Sequence, residues 1–239
     1  MKVNNKSKID KPRKIKVTFL LDNSNLWFEK PLKKYNFKLG DKYKFSISKN
    51  YKLVKKQDIV FPLSYTKILP EKFLDENKLV LIVHPSKLPK NKGFAPLQYQ
   101  LLKNKKKIHI SLIKAVNEVD AGPICLQDYF YMNGTELSDD IRKKQGVAFL
   151  GIIKKFLIKY PNISFKKQIG KSTFNKRRYP KDSELNINKT IKEQFNHLRI
   201  NDNQTHPSFF VYKNTKYVIK IHKEKIKLLR NKGVSEIWV

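Results

Sequence analysis

Residues 79–84, LVLIVH, form the most apolar short run of the chain and predict its central strand. The run is brief, contains β-branched side chains and ends at Pro85, which together favour a buried strand over a helix. Two earlier runs have the same character, IKVTFLL at 15–21 and DIVFPL at 58–63. Strands that are apolar throughout are typical of a sheet covered on both faces.

Strand and helix patterns alternate around this run. Further strand candidates lie at 43–48, 108–116 and 124–131, and helix candidates lie at 70–77, at 97–104 and from Thr135 onwards. The alternation predicts an α/β domain with a Rossmann-like, mostly parallel sheet and helices on both faces. We place this domain at 14–170 and a basic tail at 1–13.

The sequence from 171 to 239 has a different character and predicts a small C-terminal extension. After a charged connector, Thr190 and Glu193 fit a capping box that opens a helix running to Arg199. Two strand-like segments at 209–212 and 217–221 flank KNT, which predicts a β-hairpin. A final strand is a candidate at 236–239.

Composition excludes several classes of protein. Hydrophobic residues make up 40% of the chain, too many for a disordered protein. No apolar run approaches the ~18–20 residues of a membrane span, and no apolar leader opens the chain, so we expect a cytoplasmic protein without membrane contact. The single cysteine, Cys125, excludes an internal disulfide and a multi-thiolate metal site, and no metal is expected.

The charge balance is strongly basic. With 52 Lys+Arg against 20 Asp+Glu, the net charge is +32. Most of the basic residues are lysines scattered along the whole chain, whereas proteins that grip phosphates or bases in a bidentate manner favour arginine. A compositional bias towards Lys, Asn and Ile is the favoured interpretation, which argues against a nucleic-acid partner. A surface that binds polyanions is the alternative.

Two polar residues lie at the ends of predicted strands. His84 ends the central strand, and Asp120 follows the strand at 108–116, ahead of Gly122. Each has an ordinary structural explanation, as a hydrogen-bonding histidine and as a turn aspartate. Their spacing of 36 positions leaves room for a loop, a helix and a strand, so the two side chains can face one cleft. A carboxylate beside an imidazole suits acyl transfer to a nitrogen nucleophile. The chain contains no GxSxG, GxGxxG or GxxxxGK[ST] motif, which argues against a serine hydrolase and against dinucleotide or P-loop chemistry.

The segment HPSKLPKNKGFAP at 84–96, followed by VDAGPI at 119–124, resembles the folate-dependent formyltransferases. These enzymes transfer a formyl group from 10-formyltetrahydrofolate to an amine, and the resemblance covers about residues 58–160. Three later segments resemble the subgroup that formylates nucleotide-linked amino-deoxysugars such as a dTDP-4-amino-4,6-dideoxyhexose, for surface polysaccharides such as O-antigen. They are RRYPKDSEL at 177–185, KTIKEQFNHLR at 189–199 and SFFVYKNTKYVIKI at 208–221.

The resemblance implies roles for individual residues. His84 would stabilise the oxyanion of the reaction, and Asp120 would orient His84 and help to remove the amine proton. The residues implied in folate binding are Leu63, Ser64, Tyr65, Ile68 and Gly122. Those implied in acceptor binding are Ser86, Lys92, Gly93, Phe195, Asn196 and Arg199.

One position departs from the family pattern. The family has a catalytic asparagine two positions before the histidine, where this chain has Ile82. Loss of an oxyanion donor typically costs ~10²–10³-fold in rate. Ser86, Asn91 and the backbone N–H of Gly93 are candidate replacements, and a slow or inactive protein is the other outcome.

Alternative functions follow from the same residues. Methionyl-tRNA formyltransferases share the chemistry but carry a larger C-terminal domain than the ~70 residues available here. A folate- or sugar-nucleotide-binding protein without turnover is consistent with Ile82. By analogy with the sugar enzymes, a homodimer through the C-terminal hairpin is also expected.

Overall fold

The structure is a computed structural model that describes residues 13–224, except for the side chains at 24–26. Six strands build the main sheet: β1 (Ile15–Leu21), β2 (Tyr43–Ser48), β3 (Ile59–Leu63), β4 (Leu81–His84), β6 (Lys107–Lys114) and β7 (Ile124–Tyr131). A parallel bridge between Val60 and Val80 joins two three-stranded groups. The resulting order is β2-β1-β3-β4-β6-β7.

Helices cover both faces of this sheet. They are α1 (Glu29–Lys34), α2 (Glu71–Asp75), α3 (Pro96–Leu102) and α4 (Ser138–Lys159). On one face Phe149, Ile153 and Phe156 of α4 pack on the strands in the largest apolar cluster. On the other face Phe73 of α2 packs on residues of β1 and β3. Each fully buried side chain of this size stabilises the fold by ~1.5–3 kcal/mol, so these contacts explain why the apolar runs become strands.

The predicted α/β class with a Rossmann-like, mostly parallel sheet is confirmed, and one strand, β6, runs against the others. Strands β1, β2 and β3 are parallel, but β6 is antiparallel to both β4 and β7. The loop between β6 and β7 spans 115–123, and parallel neighbours need a crossover connection of about a dozen or more residues. The short connection therefore makes these two strands a hairpin.

The C-terminal part contains β8 (Phe174–Asn175), α5 (Ile191–Ile200), β9 (Ser208–Tyr212) and β10 (Thr215–Ile219). Strands β9 and β10 form the predicted hairpin around a two-residue turn, Lys213–Asn214, whose φ values are +45° and +59°. This geometry is that of a type I′ turn. Consequently β10 begins at Thr215, two residues earlier than the sequence predicts.

A two-stranded ladder connects this C-terminal part to the main domain. Strand β8 pairs in parallel with β5 (Lys92–Gly93), which lies in the loop after β4. At the other end of the chain, Arg13 forms an ion pair with Asp58, at 2.6 Å between Nη2 and Oδ1. The rest of the predicted tail and the candidate strand at 236–239 lie outside the described residues. No helix within 13–224 combines the length and the apolarity needed to cross a membrane.

Candidate active site

His84 ends the central strand and is almost fully buried, with 5% of its surface exposed. The apolar residues of β4 anchor the strand in the core, and the ring lies on the same face of the sheet as Ser111, its register partner on β6. The strand therefore fixes the position of the His84 Cα atom. The contacts from the surrounding loops fix the orientation of its ring.

Asp120 reaches His84 from the loop between β6 and β7. Its Oδ1 lies 3.3 Å from His84 Nδ1, and its Oδ2 accepts a hydrogen bond from the Gly93 N–H at 2.8 Å. The sequence predicts that both side chains lie at neighbouring strand ends. Because β6 runs antiparallel to β4, its own end at Lys114 lies beside Leu81, and the loop carries Asp120 back to His84.

The second ring nitrogen of His84 also meets an acceptor. Nε2 lies 2.8 Å from the backbone carbonyl oxygen of Asn91. A neutral imidazole has one N–H, whereas an imidazolium can donate to Asn91 and to Asp120 at once. An acceptor on each side holds the ring in a single orientation, which is what a general acid–base group or an oxyanion donor requires.

Asp120 lies in an environment that favours its ionised form. Burial raises the pKa of the carboxyl, but the His84 hydrogen bond and charge, the Gly93 N–H and the charge of Lys92 together lower it below its usual range. Lys92 is itself buried, with Nζ 5.6 Å from the centre of the Phe174 ring. The His84–Asp120 pair therefore lies near the buried, positively charged side chain of Lys92.

The loop after His84 is held by its own polar groups. Ser86 is fully buried and donates its hydroxyl to the Lys90 carbonyl at 2.7 Å. Gly93 has φ of +85°, and a Cβ there would lie 2.7 Å from the Asn175 carbonyl oxygen. Ser86 and Gly93 thus have structural functions, and their contact with an acceptor substrate stays a prediction. The same holds for Lys92.

Gly122 is required for a reason that the sequence does not reveal. A Cβ at this position would lie 1.7 Å from the carbonyl oxygen of Lys114, so no side chain fits. The close approach that the structure records is thus to the backbone of β6. The implied contact of Gly122 with folate stays a prediction.

The segment implied in folate binding leaves the end of β3. Leu63 is buried, Ser64 turns the chain with φ of +49°, and Thr66 donates both its N–H and its hydroxyl to Asp22. Tyr65 is partly buried, which raises its pKa, while Ile68 is 81% exposed. The contacts of Leu63, Ser64, Tyr65 and Ile68 with folate stay a prediction.

Phe195, Asn196 and Arg199 lie on α5, in a different region. The Arg199 side chain is 3% exposed and donates from Nη1 to the Glu136 carbonyl at 3.2 Å and from Nε to Asn196 Oδ1 at 2.6 Å. Phe195 lines an apolar cavity of about 490 Å³ between α5 and the hairpin. Within 13–224, no hydrogen bond or ion pair joins these three residues to His84 or Asp120. Their role with a substrate stays a prediction.

Sequence reasoning missed two residues between α4 and β8 that hold the site in place, Gln168 and Thr173. Gln168 donates from Nε2 to the carbonyls of Asp120, at 2.7 Å, and Gly122, at 2.8 Å. Thr173 accepts at Oγ1 from the Asn91 N–H and at its carbonyl from the Lys92 N–H, both at 2.8 Å. These contacts join residues 46 to 82 positions apart and leave no local pattern.

Metal and thiol chemistry find no support among the described residues. Within 13–224 there is no group of three His, Cys, Asp or Glu side chains that could hold a metal ion. Burial raises the pKa of Cys125 to about 12, so its thiol stays protonated near neutral pH and is a poor nucleophile.

Comparison with known proteins assigns the chain to a family. The sequence model of the family described as formyl transferase matches residues 22–147 of this chain, a range that includes His84 and Asp120. The chain belongs to the formyl transferase family. A methionyl-tRNA formyltransferase from Thermotoga maritima is 35% identical over 114 residues, which are 46% of this chain and 36% of that relative. The chain therefore matches little more than a third of that protein's length.

Two solved structures share the fold of this chain. A methionyl-tRNA formyltransferase from Clostridium thermocellum superimposes with a TM-score of 0.75 at 20% identity, covering 88% of this chain and 94% of that one. A sugar N-formyltransferase from Shewanella sp FDAARGOS_354 superimposes with a TM-score of 0.67 at 17% identity, covering 89% of this chain and 99% of that one. At these identities the likeness establishes the fold and leaves the acceptor open.

Proposed function

We propose that this formyl transferase moves the formyl group of 10-formyltetrahydrofolate to the amino group of a nucleotide-linked amino-deoxysugar. The observation that carries the transfer chemistry is the buried contact of 3.3 Å between His84 Nδ1 and Asp120 Oδ1, within the family match. The formyl donor supplies an electrophilic carbon, and the protein supplies the groups that position the amine and manage charge.

His84 presents Nε2 to the reaction. In the structure this nitrogen faces the Asn91 carbonyl at 2.8 Å, so a substrate oxygen reaches Nε2 by replacing that carbonyl. Asp120 remains ionised near neutral pH, since its pKa lies below the usual range, and it can accept the proton that the attacking amine loses. Each proton-transfer role is typically worth ~10²–10⁴-fold in rate.

The proposal of a sugar acceptor rests on the later part of the chain. The segments at 177–185, 189–199 and 208–221 resemble the sugar-modifying subgroup, and they fold as a connector, α5 and the β9–β10 hairpin. The Shewanella sugar enzyme is matched over 99% of its chain and the Clostridium methionyl-tRNA enzyme over 94%, so the preference for a sugar rests on the three segments and not on coverage.

Methionyl-tRNA is the competing acceptor, and specific observations favour it too. The Thermotoga relative named above acts on methionyl-tRNA, and the net charge of +32 would attract a polyanion. The two acceptors differ in what they predict for salt dependence, because a tRNA contact that neutralises several phosphates weakens steeply with ionic strength.

The test is formyl transfer from 10-formyltetrahydrofolate to a panel of dTDP- and UDP-linked amino sugars and to methionyl-tRNA. We expect turnover with one nucleotide sugar that changes little between 50 and 200 mM salt. Turnover with methionyl-tRNA alone would replace the sugar assignment and keep the transfer chemistry. Binding of folate or nucleotide with no turnover on any acceptor would instead identify a binding protein.

A further inference from the structure

Gln168 lies outside every motif in the sequence but clamps the turn that carries Asp120. Its Nε2 donates to the carbonyl of Asp120 at 2.7 Å and to that of Gly122 at 2.8 Å. The two acceptors lie two residues apart, so one amide group fixes both peptide planes of the turn. Gln168 is itself held beside the start of β7, because Lys166 and Ile124 exchange two backbone hydrogen bonds of 2.8 Å.

The turn needs this support because Asp120 adopts an unfavourable backbone conformation. Its φ is +52°, in the left-handed region that residues other than glycine rarely adopt. This conformation sets the direction of the Cα–Cβ bond, and with it the position of the carboxylate that faces His84 and Gly93. A relaxed turn would move the carboxylate away from both.

The clamp also leaves a polar atom unpaired. The side-chain oxygen Oε1 of Gln168 is buried and has no hydrogen-bond partner within 13–224. An unsatisfied buried acceptor is unfavourable, which offsets part of what the two Nε2 bonds contribute to stability. An unpaired buried atom of this kind calls for an explanation beyond the stability of the fold, such as a role at a reacting site.

We propose that Gln168 is a positioning residue for the transfer reaction, holding Asp120 in the conformation that pairs its carboxylate with His84. The proposal rests on the transfer function proposed above. A displacement of about 1 Å at a reacting group can cost ~10²-fold in rate. The hydrogen bonds of the Gln168 side chain go to the carbonyls of Asp120 and Gly122, so its proposed effect passes through Asp120.

The experiment compares Gln168→Met, which keeps the length of the side chain and removes the donor, with Gln168→Glu. We expect Gln168→Met to lower kcat by ~10–100-fold while the KM values for both substrates change by less than ~3-fold. Gln168→Glu should recover activity as the pH falls, because the introduced carboxyl can donate one hydrogen bond once it is protonated. The matched control is Gln204→Met, at an exposed side chain, which should stay within ~2-fold of the original protein.

A double-mutant cycle separates positioning from general stability. In the Asp120→Asn background, Gln168→Met should cost less than ~3-fold further in kcat, because the group that it positions is already altered. An equal loss in both backgrounds, or an unchanged kcat in Gln168→Met, would overturn the proposal.

A second readout does not depend on transfer activity. The side-chain ¹⁵N resonances of His84 report its contact with Asp120, and Gln168→Met should move them towards their positions in Asp120→Asn. Unmoved resonances would overturn the positioning role even in a protein that transfers formyl groups. Shifted resonances in a protein without turnover would refute the proposed function and leave the clamp standing.

Discussion

The Nδ1 atom of His84 lies 3.3 Å from Oδ1 of Asp120, although the loop that carries Asp120 begins at the far end of the neighbouring strand. Gly93 and Gln168 fix the two sides of this contact, one through the carboxylate and the other through the backbone. Three segments of the chain therefore hold the His84–Asp120 pair: β4 with the loop that follows it, the loop after β6, and the segment that contains Gln168. The transfer activity of the protein should depend on each of them.

Replacement of either member of the pair should abolish most of the transfer. We expect His84→Ala and Asp120→Asn each to lower kcat by ~10²–10⁴-fold, since each removes a group that carries charge or a proton in the reaction. Steady-state rates of formyl transfer with the preferred acceptor measure this. His206→Ala, at an exposed turn, is the control, and full activity in His84→Ala would exclude the proposed chemistry.

The family has an asparagine at the position of Ile82, where it donates a hydrogen bond to the oxyanion of the reaction. Among the three candidate replacements, Asn91 remains. Ser86 donates its hydroxyl to Lys90, and the Gly93 N–H is bonded to Asp120, so neither group is available. The backbone of Asn91 touches Nε2 of His84, and within 13–224 its carboxamide has no hydrogen-bond partner.

Asn91→Gly removes that carboxamide and suits the φ of +57° at this position. We expect it to lower kcat by ~10²-fold, the usual effect of losing one oxyanion donor. Adding Ile82→Asn should restore part of the rate, because residue 82 lies two positions before His84 on the same face of the strand. A rate unchanged in Asn91→Gly would place the donor elsewhere.

Local patterns predicted the elements of the fold well. Strand β7 has the predicted bounds of 124–131, and the capping box is present, with Thr190 Oγ1 accepting from the Glu193 N–H at 3.3 Å. These features depend on residues that are close in the sequence. Apolar alternation and a capping pair are therefore visible before any tertiary contact is known.

Features that depend on distant residues were not predicted. The direction of β6 follows from the short loop after it, and the β5–β8 ladder joins Gly93 to Asn175 without any local signal. The steric requirement for glycine at 122 comes from the Lys114 backbone, and the implied contact of Gly122 with folate stays a prediction. The backbone contacts of these residues involve segments that are distant in the sequence. The spacing of residues within one segment therefore cannot predict them.

Gly122→Ala should destabilise the fold, while the same change in α4 should not. A Cβ at 122 would lie 1.7 Å from a backbone oxygen, whereas at Gly151 nothing lies within 4 Å. We expect Gly122→Ala to lower the free energy of unfolding by at least ~3 kcal/mol and Gly151→Ala to raise it by ~0.5–1 kcal/mol. Urea denaturation of both variants measures this, and equal midpoints would contradict the close approach.

The stability of the domain should fall in acid through Glu136. This carboxylate is buried, and it accepts hydrogen bonds from the backbone N–H groups of Asn133 and Gly134 and from Lys144. Burial raises its pKa, but the Lys144 and backbone hydrogen bonds outweigh burial and lower the pKa from 4.5 to about 2.

A carboxyl whose pKa is lower in the folded state stabilises the protein above the unfolded value and loses that contribution as the pH falls. We therefore expect Glu136→Gln to cost roughly 2–3 kcal/mol at pH 7 and progressively less between about pH 4.5 and pH 2. Urea unfolding of both proteins across this range measures the difference. Glu118→Gln, at an exposed side chain, should change the free energy of unfolding by less than ~0.5 kcal/mol. A Glu136→Gln difference that stays constant from pH 7 to pH 2 would show that Glu136 acts through packing rather than through its charge.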